Sequence, residues 1–190
     1  MERMVAKKTP LSVATKTGDQ GQSGLITGKR LPKDHPVFAA VGSLDELNSW
    51  LGLIVVQLHT EFETYGKHLQ TIQETLFYVG AECAGSEKVQ LKDSHLQQLE
   101  KWSETLQHSM AENWHTQFVL PGGTELGAYL DIARSVCRRA ERDAVGLSAE
   151  LELRPVVLKY LNRLSDYLYV LRCKVNQAVA HKEKFFEATD

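Results

Sequence analysis

The chain has 190 residues, of which 43% are hydrophobic and 24% charged, with a formal charge of -2. That length supports one domain with a sizeable core, and the composition is ordinary for a soluble globular protein. With an isoelectric point near 6.4, the charge balance excludes a global basic field for nucleic acid or anionic membrane, so an anion site must come from local clusters.

The apolar runs fall short of the roughly 20 residues that span a bilayer, and the stretch from Met1 to Pro10 is polar, with no apolar signal core. A cytoplasmic protein without a membrane partner is expected. Cys83, Cys137 and Cys173 form no CxxC pair. Each falls inside a helical pattern, which predicts reduced core thiols.

Residues 15–36 hold four of the 13 glycines, between Gly18 and Gly28, and no sustained period. They read as a structured loop with room for short extended pieces. From Val37 onward three-and-four spacing dominates. Val41, Leu44, Leu47, Leu51, Ile54, Val55 and Leu58 mark a first helix. Leu69, Ile72, Leu76, Val79 and Cys83 mark a second, ending near Gly85. Asp93 is placed to cap a third, with Leu96, Leu99, Trp102 and Leu106 inward. Leu130, Ala133, Cys137, Ala140 and Ala144 mark a fourth, stopping near Gly146 and capped by Thr124. Pro155 suits the first turn of a fifth, whose stripe is Leu158, Leu161, Leu164, Leu168, Leu171 and Val175. Five long helices with short connections predict an all-α, five-helix antiparallel bundle in a single domain over 1–190. Mobile ends are expected at about 1–10 and 182–190.

Four segments carry candidate chemistry. The loop Thr15-Lys16-Thr17-Gly18-Asp19-Gln20-Gly21-Gln22-Ser23-Gly24 combines glycines, which let backbone approach a ligand, with hydroxyls and a lysine. Successive N–H groups in such a turn can cradle an anion. It lacks the GxxxxGK[ST] of a P-loop, and a polar surface turn is the competing reading. Lys29, Arg30 and Lys33 follow and extend a phosphate site or stay solvated.

In the fourth helix Arg134, Arg138 and Arg142 stand at i, i+4 and i+8 and share one face. Stacked like charges repel unless something negative answers them, and guanidinium forks match phosphate oxygens. Asp131 and Glu141 on the same helix, or Asp45 across the bundle, are candidate neutralisers, and a solvated face is the alternative. In the last helix Asn162 and Asp166 interrupt the apolar stripe. If buried they need partners, either the arginines of the preceding helix or an interhelical network. Phe118 and Leu120, on the loop Phe118-Val119-Leu120-Pro121-Gly122-Gly123, read as core packing, with a cavity-lining role as the alternative. The seven histidines form no HExxH or comparable metal set, so no metal ligand is assigned.

Together these segments resemble the PduO-type ATP:cob(I)alamin adenosyltransferases. Five matches carry the resemblance, in the family's order: TKTGDQGQSG at 15–24, PKD…VGSLDELNS at 32–49, FVLPGG at 118–123, ARSVCRRAER at 133–142 and LKYLNRLSDYLYVL at 158–171. The resemblance implies a homotrimer of five-helix bundles with active sites between subunits. It implies transfer of the 5′-deoxyadenosyl group of ATP to the cobalt of cob(I)alamin, with Mg²⁺ assisting and triphosphate leaving. Thr15, Lys16, Thr17, Gly18, Ser23, Gly24 and Lys33 would bind ATP, completed by Arg138, Arg139, Ala140, Glu141, Arg142 and Asn162. Arg134 would pair with Asp45 across the interface, and Phe118 would displace the lower axial base of cobalamin. The sequence departs from the family at Gln22-Ser23-Gly24, where many members carry two hydroxyls, so a phosphate contact at Gly24 would be through backbone. It departs again at Leu171-Arg172-Cys173-Lys174, which lacks the usual Ala-Arg-Tyr ending. A reductase and an adenosylcobalamin-dependent mutase are the implied partners. Two rivals remain: a carrier that delivers adenosylcobalamin without catalysis, and a purely structural bundle, which would show no ATP-dependent thermal shift.

Overall fold

A computed structural model describes residues 14, 16–58, 60–111, 114 and 117–187. A hairpin of β1 (Gln22–Gly24) and β2 (Arg30–Pro32) precedes five helices: α1 (Pro36–Gln57), α2 (Glu63–Cys83), α3 (Asp93–His108), α4 (Glu125–Leu147) and α5 (Pro155–Ala178). The helical stripes read from the sequence supply the core. Leu47, Leu51, Ile54, Leu69, Ile72, Leu99, Leu130, Ala133, Leu161, Leu164 and Leu168 are all fully buried in one hydrophobic cluster.

α4 packs most extensively on α5 and α1, with α3 on α5 and α2 on α1. Side chains close this row across the core: the His68 ring of α2 stacks on Trp102 of α3 at 4.0 Å and shares a 3.0 Å hydrogen bond with the Tyr167 hydroxyl of α5. The bundle is therefore built around α4, and the arginine face lies on its most heavily packed helix.

The helix ends follow local chemistry. Thr124 caps α4 by accepting from Gly127 N at 2.9 Å, and Pro155 opens α5, where its missing N–H costs nothing. The third helix differs from expectation. Lys92, not Asp93, is its N-cap residue. The His95 ring accepts the Lys92 N–H at 3.2 Å, which leaves Asp93 in the first turn, where its charge meets the helix dipole.

α1 is the most apolar of the long helices by window average, although no uninterrupted apolar run spans it. This 22-residue helix contains an 18-residue window of mean hydropathy 1.2, long and apolar enough by length and composition alone to cross a membrane. Yet Ala40, Leu44, Leu47, Leu51 and Ile54 line the core, and Asp45 and Glu46 sit mid-helix. The C-terminal tail differs as well. Residues 182–187 are paired to another loop: Leu120 N donates to Lys184 O at 2.7 Å and Phe186 N to Phe118 O at 2.8 Å.

Candidate active site

The glycine-rich loop folds onto the β-hairpin. Lys16 has φ 58°, a left-handed conformation costing a non-glycine residue about 1 kcal/mol. Consecutive turns follow, Asp19 N to Lys16 O and Gly21 N to Gly18 O, and Lys33 N donates to Gly21 O at 2.8 Å. The hairpin register, Gln22↔Pro32, Ser23↔Leu31 and Gly24↔Arg30, folds Lys33 back over the loop. A side chain at Gly18 would meet the Lys33 amine at 3.2 Å, so glycine there leaves room for the ammonium. Arg30 is committed to structure: its Nη2 donates to the Thr17 carbonyl at 2.6 Å. Lys16, Thr17, Gly18 and Lys33 thus form one basic, backbone-lined surface; Ser23 and Gly24 continue along β1. Thr15 lies outside the described residues.

His35 anchors this assembly. Its Nδ1 accepts from Val37 N at 3.2 Å to cap α1, and its Nε2 lies 3.0 Å from Glu150 beyond α4. Both ring nitrogens thus join the start of α1 to the segment after α4.

On α4 the arginines divide. The Arg134 guanidinium sits 5.4 Å over the Tyr169 ring, a cation–π contact that orders it without neutralising it. Arg138 is exposed, and Arg142 bonds back to the Arg138 carbonyl at 3.2 Å. Arg139 is ion-paired to Glu46 of α1, a pairing the sequence reading did not anticipate. Among the described residues, Arg134, Arg138 and Arg142 have no carboxylate ion pair. The two candidate neutralisers on the same helix are committed elsewhere. Asp131 accepts from Gly122 N at 2.7 Å and faces Arg172 at 3.2 Å. Glu141 accepts from Asn162 Nδ2 at 3.1 Å. Asn162 and Asp166 in turn meet Arg163 of their own helix, at 2.8 and 3.5 Å, not the arginines of α4. Ala140 is fully buried. Three same-face cations without a counter-charge lose a few tenths of a kcal/mol per pair, and an anionic ligand would reverse that sign.

A groove of about 550 Å³ between α1 and α4 connects Arg139 and Arg142 to Trp50, Asp131, Pro121 and Gly122. This is the size range of small-molecule sites. It links the arginine helix to the 118–123 loop, where expectation and structure disagree: Phe118 is 84% exposed and Leu120 46%. Neither packs in the core. Both belong to a short strip whose backbone is bonded to the tail, and both side chains are exposed. Asp45 lines a different groove, with Asn48, Gly52, Gln73 and Phe77 between α1 and α2, and does not meet Arg134 within the chain.

Sequence reasoning missed the support under this loop. Arg172, fully buried, donates to Leu120 O and Gly122 O at 3.0 Å each, to Asp131 Oδ2 at 3.2 Å and to Glu183 Oε1 at 2.5 Å. Asn176, also fully buried, donates to Gly122 O and Glu183 Oε1 and accepts from the Thr124 N–H and hydroxyl. Gly123 has φ 97°, and a side chain there would come within 2.3 Å of Asn176 Nδ2. An arginine inside an apolar stripe was the available signal, since a buried guanidinium requires acceptors.

The model of the cobalamin adenosyltransferase family matches residues 13–175. The human corrinoid adenosyltransferase MMAB is 37% identical, the alignment covering 97% of this chain and 78% of that protein. The corrinoid adenosyltransferase PduO of Salmonella typhimurium is also 37% identical; 90% of this chain aligns, spanning about half (52%) of that longer protein. Among solved structures, a phenylalanine-to-alanine variant of the PduO-type ATP:corrinoid adenosyltransferase from Lactobacillus reuteri, complexed with cobalamin and ATP, superposes with a TM-score of 0.86 at 31% identity, covering 93% of this chain and all of that one. An arginine-to-lysine variant of the same enzyme, complexed with ATP, gives 0.83. A family match over most of the length, on the fold and motif order already described, places this chain in the cobalamin adenosyltransferase family.

Proposed function

We propose that this chain transfers the 5′-deoxyadenosyl group of ATP to the cobalt of reduced cobalamin, forming adenosylcobalamin and triphosphate. The observation that carries the proposal is the α4 face on which Arg134, Arg138 and Arg142 stand without a carboxylate partner among the described residues, beside a groove that runs to the Phe118 loop. Cob(I)alamin is a strong nucleophile toward the ribose C5′, so the protein needs no general base. What it must supply is alignment and neutralisation of the charge that develops on the leaving triphosphate. Arg138 and Arg142, with their neighbours Arg139, Ala140 and Glu141 and with Asn162 behind Glu141, are assigned to that task. Lys16, Thr17, Gly18, Ser23, Gly24 and Lys33 are assigned to the polyphosphate from the loop side, with Thr15 by motif position alone.

Phe118 is assigned to cobalamin. An outward aromatic ring can occupy the lower axial face and exclude water and the axial base there. Among the described residues no group of three or more His, Cys, Asp or Glu is placed to hold a metal. A Mg²⁺ accompanying ATP would add charge neutralisation to that of Arg138, Arg142 and Lys16.

A homotrimer with shared active sites is the assembly we propose. Supporting it, the α1–α2 face carries Val56 and Phe77 at 79% and 71% exposure, and the Asn48 side-chain oxygen is buried there without a partner. Asp45 on that face would meet Arg134 of a neighbouring copy. We further propose a single domain, since one contiguous core cluster draws on all five helices. Cytoplasmic residence is supported by three free, buried thiols. A reductase to supply cob(I)alamin and an adenosylcobalamin-dependent mutase to receive the product are the partners proposed, with no nucleic acid and no membrane. Incubating the protein with ATP, cobalamin and a chemical reductant tests the assignment: triphosphate and a new cobalt–carbon absorbance support it, and their absence rejects it.

A further inference from the structure

The family model ends at residue 175, whereas the chain's interaction with the Phe118 loop continues to Phe186. After α5, Ala180 takes φ 53° and turns the backbone back. The tail then pairs with the loop on both sides of the Val119↔Phe185 bridge. The carbonyl of Phe118 itself accepts from Phe186 N at 2.8 Å.

This short ladder is locked by charge. Arg172 gathers three parts of the chain: the loop through Leu120 O and Gly122 O, α4 through Asp131, and the tail through Glu183. The clasp contains one buried cation and two carboxylates, and the surplus oxygen valence is taken up by Gly122 N and Asn176 Nδ2. Desolvating these groups is costly enough that apolar packing would hold the helices at least as well. Directional bonds instead fix one backbone path for a loop that contributes little to the core. The side chain held out by that path is Phe118.

We propose that Arg172 and Glu183 are positioning residues for Phe118, acting through the loop backbone, and that the tail to Phe186 is part of the cobalamin side of the site. The proposal rests on the role given to Phe118 under the proposed function. Neither residue touches the reacting atoms. They set where the aromatic ring stands, and a displacement of about 1 Å at such a distance from the chemistry can cost up to about a hundredfold in rate.

The test uses the full chain with Glu183→Ala, Glu183→Gln, Arg172→Lys, Phe118→Ala and the Phe118→Ala/Glu183→Ala double variant. Turnover is measured from cob(II)alamin with a one-electron reductant and, separately, from cob(I)alamin prepared beforehand. ATP affinity is measured by calorimetry, and amide exchange is followed at Leu120 and Phe186. For Glu183→Ala we expect faster exchange at both amides and ATP affinity within about twofold of wild type. Turnover from cob(II)alamin should fall about tenfold or more, with a much smaller loss from cob(I)alamin. Glu183→Gln, which keeps an acceptor for Arg172, should recover most of that loss. Arg172→Lys, which loses the fork, should not recover it. The double variant should be no worse than Phe118→Ala, since both changes remove one interaction.

Three results would overturn the positioning role while leaving that of Phe118 standing. These are wild-type turnover in a Glu183→Ala protein beside an impaired Phe118→Ala, equal losses from both cobalamin states, and additive losses in the double variant. Wild-type turnover in Phe118→Ala would overturn the reading beneath and the proposal with it.

Discussion

Replacing Phe118 by alanine should separate stability from function. A phenylalanine that packs fully buries about 200 Å². Phe118 is 84% exposed, so about a sixth of that, near 30 Å², is covered. At about 25 cal/mol per Å² the loss is about 0.8 kcal/mol, equivalent to about 2–3 °C in Tm for a chain of this length. The backbone bonds at 118 do not involve the ring and should survive. Thermal melts by circular dichroism should therefore nearly superpose. ATP affinity by calorimetry should match wild type, while turnover from cob(II)alamin should drop severely. A Tm fall beyond about 6 °C would show that the ring is a packing element in the native assembly. Unchanged turnover would remove its role on the cobalamin face.

Arg138→Ala should lose ATP binding or catalysis without losing stability. Relieving like-charge contacts at i±4 should even add a few tenths of a kcal/mol at low salt, and wild-type affinity by calorimetry would return the arginines to a solvated face. Gly127→Ala should destabilise although it removes a glycine from a helix, a change that ordinarily gains about 1 kcal/mol. The new methyl would lie 2.4 Å from the buried, fully bonded Asn176 Oδ1. Overpacking of about 1–3 kcal/mol should win in denaturant melts, and a stabilised variant would refute the rigidity of that contact.

Stability should also fall in mild acid. Burial holds the His68 imidazole below its ordinary value of 6.5, and its Nδ1 is bonded to the Tyr167 hydroxyl. The unfolded chain thus takes up a proton that the folded chain refuses, so stability is complete above 6.5 and declines as pH drops toward the depressed folded value. His95 is shifted in the same direction and leaves a residual slope. His68→Phe should flatten the dependence, measured as urea midpoints across pH, and an unaltered slope would contradict the assignment.

What was legible in the sequence was whatever depends on near neighbours. Every inward residue read for α2, from Leu69 to Cys83, is buried, because a 3.6-residue period alone decides which face meets the core. Thr124 as a cap is equally local. The misreadings involve partners far along the chain. Arg172 meets Asp131 41 residues away and Leu120 52 away, and no spacing announces such a meeting. Phe118 looked like core because apolar residues usually are. Its exposure follows from the tail occupying the loop's other edge, and that tail looked like a loose end.

Adenosyl transfer as proposed cleaves ATP at C5′ and releases intact triphosphate. Phosphorus NMR of a single turnover with ATP, reduced cobalamin and the full-length protein reads this directly, alongside the visible spectrum of the corrinoid. Triphosphate is expected in equal amount to a newly formed cobalt–carbon bond. ADP with phosphate, or adenosylcobalamin that appears only when supplied, would contradict it.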